Sequence, residues 1–177
     1  LGPYSPDKTT KPKTEKTTAT FASGVANPEQ WSILSGVNDS GQGSAAGTAL
    51  NAAAEIPQLM TAVDASGVIK LLAIRMPGAA NVEFSPASTA LALAFTSPFL
   101  AAACLEDPVA AKTLIESLPE YTSLKDWLAA NYQNGLTDAA TAQHLSNLVS
   151  AVMLKLPQPT APPEETRAIA PDAYTSG

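Results

Sequence analysis

The stretch ASTALALAFTSPFLAAACL, Ala87–Leu105, constrains this chain more than any other, because it runs 19 residues without a charge. That is close to the roughly 20 residues a helix needs to cross a bilayer. A proline stands inside it. Pro98 would remove a backbone hydrogen bond from an uninterrupted helix and clash with the turn before it, at a cost of about 3 kcal/mol. Thr96 and Ser97 directly before it read as the end of one helix and the cap of the next. The flanks are Glu83 on one side and Glu106-Asp107 on the other, with no Lys or Arg beside them to fix an orientation. The sequence therefore predicts no transmembrane span here, but two short buried helices meeting at a bend.

The same punctuation recurs. Ser85-Pro86, Ser97-Pro98 and Asp107-Pro108 each place a side-chain oxygen before a proline, which suits the cap and first residue of a helix. Ser123 with Asp126 three residues on resembles a capping box, and Thr137-Asp138 follows an Asn134-Gly135 stop. Apolar residues recur at helical spacing as Leu114, Ile115 and Leu118, as Leu124, Trp127, Leu128 and Tyr132, and as Leu145, Leu148, Val149, Val152, Met153 and Leu156. Residues 85–156 are expected to form a compact helical bundle of about five helices.

Upstream the period changes. QLMTAV alternates, DASG supplies turn residues, VIKLLAIRM resumes a β-rich run, and NVEF alternates again with Val82 and Phe84 on one face. This predicts a short three-stranded antiparallel meander. GVNDSGQGSAAG, between Gly36 and Gly47, reads as a loop, with a short strand near TTATFASGV before it. Residues 21–84 thus form a β-rich region. Residues 1–20, dominated by Thr, Lys and Pro, are expected to be a disordered tether, and residues 157–177 a proline-rich tail. The expected fold is α+β and predominantly α. The chain begins at Leu1 without a basic segment leading into an apolar one, so a mature product or a fragment is expected.

Charge limits the partners. Residues 1–20 carry four Lys against Asp7 and Glu15, a net +2, which leaves −8 on the rest of the 177-residue chain. Such an acidic body repels phosphate backbones, so nucleic acid is not an expected partner. Cys104 is the single cysteine, which rules out an intrachain disulfide or a cysteine zinc cluster.

No motif carries chemistry. Asp39-Ser40-Gly41 resembles the nucleophile loop of trypsin-like serine proteases, but in that family the histidine precedes the serine, whereas His144 follows it here. The glycines at 41, 43 and 47 have the wrong spacing for a dinucleotide loop, and no lysine follows as in a P-loop. His144 has no second histidine at ligand spacing. Glu106-Asp107 and Glu164-Glu165 read as solvated charge, and no calcium loop occurs. No catalytic residue, cofactor or metal is therefore assigned.

TAVDASGVIKLLAI followed by NVEFSPASTALALAFTSP resembles a segment of bacterial secreted proteins and lipoproteins of unassigned function, over about 40 residues of simple pattern. The matching residues are Asp64, Gly67, Ser88 to Leu93 and Pro98. The resemblance implies an extracytoplasmic bacterial protein of the cell envelope, with a helical domain after a β-rich one. The expected function is a non-enzymatic surface or periplasmic module for protein contact or ligand binding, with other envelope proteins or a small ligand as partner. A small hydrolase and an intracellular adaptor are the alternatives. Trp31, Trp127 and Tyr132 are the candidate contact residues because aromatic side chains are favoured at interfaces, and His144 joins them as a candidate binding residue.

Overall fold

Threonine is β-branched and suits a pleated, half-buried strand. In TEKTTATF, Thr17 and Ala19 turn inward and are buried, so Thr14–Phe21 forms a strand, β1. The structure, a computed structural model, describes residues 12–157. The tether expected over 1–20 therefore gives way to a strand at Thr14. Residues 1–11, and the tail beyond Pro157, lie outside the described residues.

Six further strands follow: β2 (Ser32–Ser35), β3 (Asp39–Gln42), β4 (Thr48–Ala53), β5 (Gln58–Val63), β6 (Ile69–Arg75) and β7 (Asn81–Phe84). They form two sheets, ordered β4-β1-β7 and β3-β2-β5-β6. The sheets share one core. Ala19, Leu50, Val82 and Phe84 from the first meet Ile33, Met60, Ala62, Leu71 and Ala73 from the second, with Trp31 directly before β2.

This corrects the expectation of a predominantly helical chain. Of the described residues 42% are helical and 27% strand, with seven strands in two sheets before the helices, a mixed α+β fold. The reason is that β1, β3 and β4 are built largely from Thr, Ala, Ser, Gly and Gln, whose burial leaves little hydropathic trace. The expected loop between Gly36 and Gly47 contains β3, paired antiparallel with β2. Gly43 continues that pairing, donating its N–H to the Trp31 carbonyl at 2.8 Å. A Cβ there would stand 2.1 Å from the Pro28 carbonyl oxygen, so only glycine fits.

The meander is also corrected. β5 and β6 form the antiparallel hairpin, with Asp64 accepting from Gly67 and donating to Val68 across the turn. β7, however, leaves that sheet and pairs parallel with β1. Arg75 and Thr17 both donate to the Ala79 carbonyl, which fixes the connection beside β1 and lets Val82 and Phe84 complete the shared core.

Among the described residues five α-helices follow the strands: α1 (Pro86–Phe95), α2 (Ala101–Glu106), α3 (Pro108–Ser117), α4 (Pro119–Asn131) and α5 (Ala139–Lys155). Ser85 and Ser88 exchange reciprocal side-chain to main-chain bonds of 2.9 Å at the start of α1, while Asp107 caps α3 and Asp138 caps α5. Ser97 instead opens a turn, its carbonyl accepting from Leu100 and Ala101, and α2 begins only after it. Nor does Ser123 start a helix. It lies inside α4, which begins at Pro119 after an extended Leu118. The uncharged run thus divides into α1 and α2, and among the described residues no helix is long and apolar enough to cross a membrane. A second core of Leu91, Phe95, Ile115, Leu124, Leu128 and Leu148 lies between these helices and β6.

Candidate binding cleft

A sheet edge presents main-chain N–H and C=O groups that need partners, and folded proteins usually tie them off. Three of the four edges here carry side-chain ties on part of their outward main-chain groups. On β4, Asn51 donates to Asp39 Oδ2 at 2.7 Å and accepts from Ser35 Oγ at 2.7 Å, while Ala53 donates to Gln58 Oε1 at 2.5 Å and accepts from Arg75 Nη1 at 2.7 Å. On β3, the Gln42 carbonyl accepts from Thr48 Oγ1 at 2.7 Å. On β6, Leu72 donates to Thr89 Oγ1 at 3.0 Å and accepts from Ser88 Oγ at 2.7 Å, so α1 stitches this edge.

β7 carries no such tie. Thr18 N–H reaches the Ala80 carbonyl and Ala22 N–H the Phe84 carbonyl, so the even-numbered residues of β7 face β1. In a parallel ladder the intervening residues then point their N–H and C=O the other way. Asn81 and Glu83 are those residues, both are exposed, and among the described residues nothing pairs with their main chain.

A cleft of about 360 Å³ opens beside this edge. Ile74 from β6, Met76 directly after it and Leu91 from α1 give it apolar surface, and Lys112, Glu116 and Tyr121 from α3 and α4 stand on the helical side. Lys112 and Glu116, one helical turn apart, are paired at 3.0 Å. Tyr121 donates its hydroxyl to the Ala87 carbonyl at 3.2 Å, and burial, then the Glu116 charge, pushes its phenol up from the ordinary tyrosine value. Glu83 has no ion-pair partner among the described residues. The cleft therefore combines open main-chain groups, an unpaired carboxylate and an apolar floor, a set suited to binding.

The residues singled out in the sequence lie elsewhere. Trp31 sits in the sheet core, 4% exposed, with its ring against Phe21 and Nε1 donating to the Ala26 carbonyl. Tyr132, in a 3-10 turn after α4, is buried in the same core. Trp127 and His144 are half-buried on α4 and α5, stacked with centroids 5.5 Å apart, and Trp127 Nε1 donates to Thr141 Oγ1 at 2.9 Å. The four are not brought together in one pocket, and none lines the cleft. Ser40 lies on β3, where its N–H is held by its neighbour Asp39. Among the described residues no cluster of His, Cys, Asp and Glu could hold a metal. Cys104 is buried, which pushes its thiol up.

Sequence reasoning missed Asn81, Glu83, Lys112, Glu116 and Tyr121. Two local signals existed, the outward alternation of Asn81 and Glu83 in NVEF and the four-residue spacing of Lys112 and Glu116. What made them a site, the placement of β7 at an open edge, depends on pairing with a strand some sixty residues earlier. Comparison with known proteins adds nothing further: no family model, curated protein or solved structure matches the chain.

Proposed function

We propose that this protein is a non-enzymatic module that acts outside the cytoplasm, at the cell surface or in the periplasm, and holds a partner polypeptide in the cleft beside β7. The observation that carries the reading is the open edge at Asn81 and Glu83, where no side chain ties the strand, in a molecule whose other edges each carry such ties. The cleft hydroxyls support binding over hydrolysis, since Ser85 and Ser88 are committed to the cap of α1 and Tyr121 to a carbonyl. The compartment rests on the Thr, Lys and Pro composition of the N-terminal end, the proline-rich C-terminal end and the resemblance to exported proteins.

The test is selection of random linear peptides on the full chain, followed by affinity measurement on wild type and on Ala87→Trp, which fills the cleft. Peptides that bind wild type and lose affinity for the variant support the reading. Failure to enrich any peptide, or equal binding to both, overturns it. Fractionation of the source cells checks the compartment, and recovery from the cytoplasm would refute export.

A further inference from the structure

We infer that the partner enters the cleft as an extended strand carrying Lys or Arg, and pairs main chain to main chain with Asn81 and Glu83 on the outer edge of β7. This rests on the binding reading above. Its physical basis is the accounting of edges. Asp39, Ser35, Gln58, Arg75, Ser88 and Thr89 each spend a side chain on an outward main-chain group of β4 or β6, whereas the N–H and C=O of Asn81 and of Glu83 have no such partner among the described residues. Groups at strand spacing are best matched by another strand, in which donors and acceptors alternate with the same period.

The cleft also says which strand. β7 has four residues, too short for main-chain pairing alone to hold a ligand, so side chains must contribute. In a strand, alternate side chains face opposite ways. One set would meet the apolar floor at Ile74, Met76 and Leu91, and the other would lie beside Glu83, whose carboxylate has no ion partner among the described residues, while Glu116 is already engaged by Lys112. The occupant is thus a segment that alternates apolar with basic residues. A cation directly across from Glu83 is the cross-strand pair that stabilises such an addition.

The probe is the blocked heptapeptide Val-Lys-Val-Lys-Val-Lys-Val, with amide hydrogen exchange followed residue by residue on the labelled full chain. Binding is expected to slow exchange at Asn81 and Glu83 by about tenfold or more at saturation. Methylating alternate peptide nitrogens should abolish binding in one of the two registers and spare it in the other. Glu83→Lys, a surface change whose unaltered melting temperature shows that it folds, should weaken the probe by about tenfold, the loss of one charge pair. If the selected peptides and this probe bind while Asn81 and Glu83 exchange as before, strand addition is overturned and cleft binding stands. If no peptide binds at all, both fail. If the two amides are already protected in the protein alone, in proportion to its concentration, the occupant is a second copy and the inference of a basic partner is wrong.

Discussion

Arg75 is 1% exposed, and its bonds to Ala53 and Glu15 join strands that are far apart in the chain. Nη1 donates to the Ala53 carbonyl at 2.7 Å, Nε to the Ala79 carbonyl at 3.1 Å, and Nη2 to the Glu15 carboxylate, which also accepts from Gly78 N–H at 2.7 Å. A buried cation is expensive unless paired, and removing one partner leaves the rest unsatisfied. Arg75→Met is expected to destabilise the fold by about 3–5 kcal/mol in urea titration, and adding Glu15→Gln should recover part of that loss. Asp64 offers a pH-dependent counterpart. Lys70 Nζ, 2.5 Å away, is the main cause that holds its carboxyl well below the ordinary aspartate value, with Ser66 next. A folded-state pKa below the unfolded one means that the stabilisation is complete above the ordinary aspartate value and drains away as pH falls beneath it. Asp64→Asn, which keeps an oxygen acceptor for Ser66 and Val68, should therefore flatten the acid limb of the melting temperature against pH. An unchanged limb would assign it to other carboxylates, Glu15 and Asp39 among them, both also held low by hydrogen bonds.

At the scale of elements, what is local is legible and what is not is hidden. The caps at Ser85, Asp107 and Asp138 stand in the sequence because a cap needs only its own few residues. The DASG turn is legible for the same reason: Asp64 Oδ1 accepts from Ser66 and Val68 within the turn, and Gly67 takes a positive φ. The start of α4 is not, since Leu118-Pro119 offers no oxygen to announce it. β1 is legible only in part, the expected strand near TTATFASGV overlapping it from Thr17 to Phe21. Its start is hidden because Glu15 and Lys16 precede the small inward residues Thr17 and Ala19, and only the pairing with β4 extends the strand back to Thr14. The candidate cleft inherits that blindness, because an open edge is defined by where β7 goes. The seam between β6 and α1 tests the idea that helix hydroxyls substitute for a missing strand. Thr89→Val keeps the shape and removes the acceptor of the Leu72 N–H, so a loss of about 1–3 kcal/mol is expected, together with faster exchange at the Leu72 amide. Normal stability would mean that water or Ser88 replaces the bond at no cost.

For the molecule as a whole, the question is whether the sheet core and the helical core fold as one. β6 belongs to both: Leu71 and Ala73 face the sheet core, whereas Ile74 pack against the helices. Tyr132 ties them again from the other direction, since it follows α4 yet is buried with Trp31, Ile33 and Phe84. Elements shared in this way make it costly to open one core while the other stays closed. The two tryptophans happen to divide between the cores, Trp31 in the sheets and Trp127 against the helices. Single-tryptophan variants, Trp31→Phe and Trp127→Phe, therefore report each core separately by fluorescence. Within each variant the fluorescence midpoint in urea is expected to coincide with the far-ultraviolet dichroism midpoint, as for a two-state domain. Tyr132→Ala, which removes about 3–5 kcal/mol of aromatic burial, should lower the midpoint seen by either tryptophan equally. If only the Trp31 signal moved, the helices would be an independent unit, and the cleft between them and β7 would be a junction free to open rather than a fixed wall.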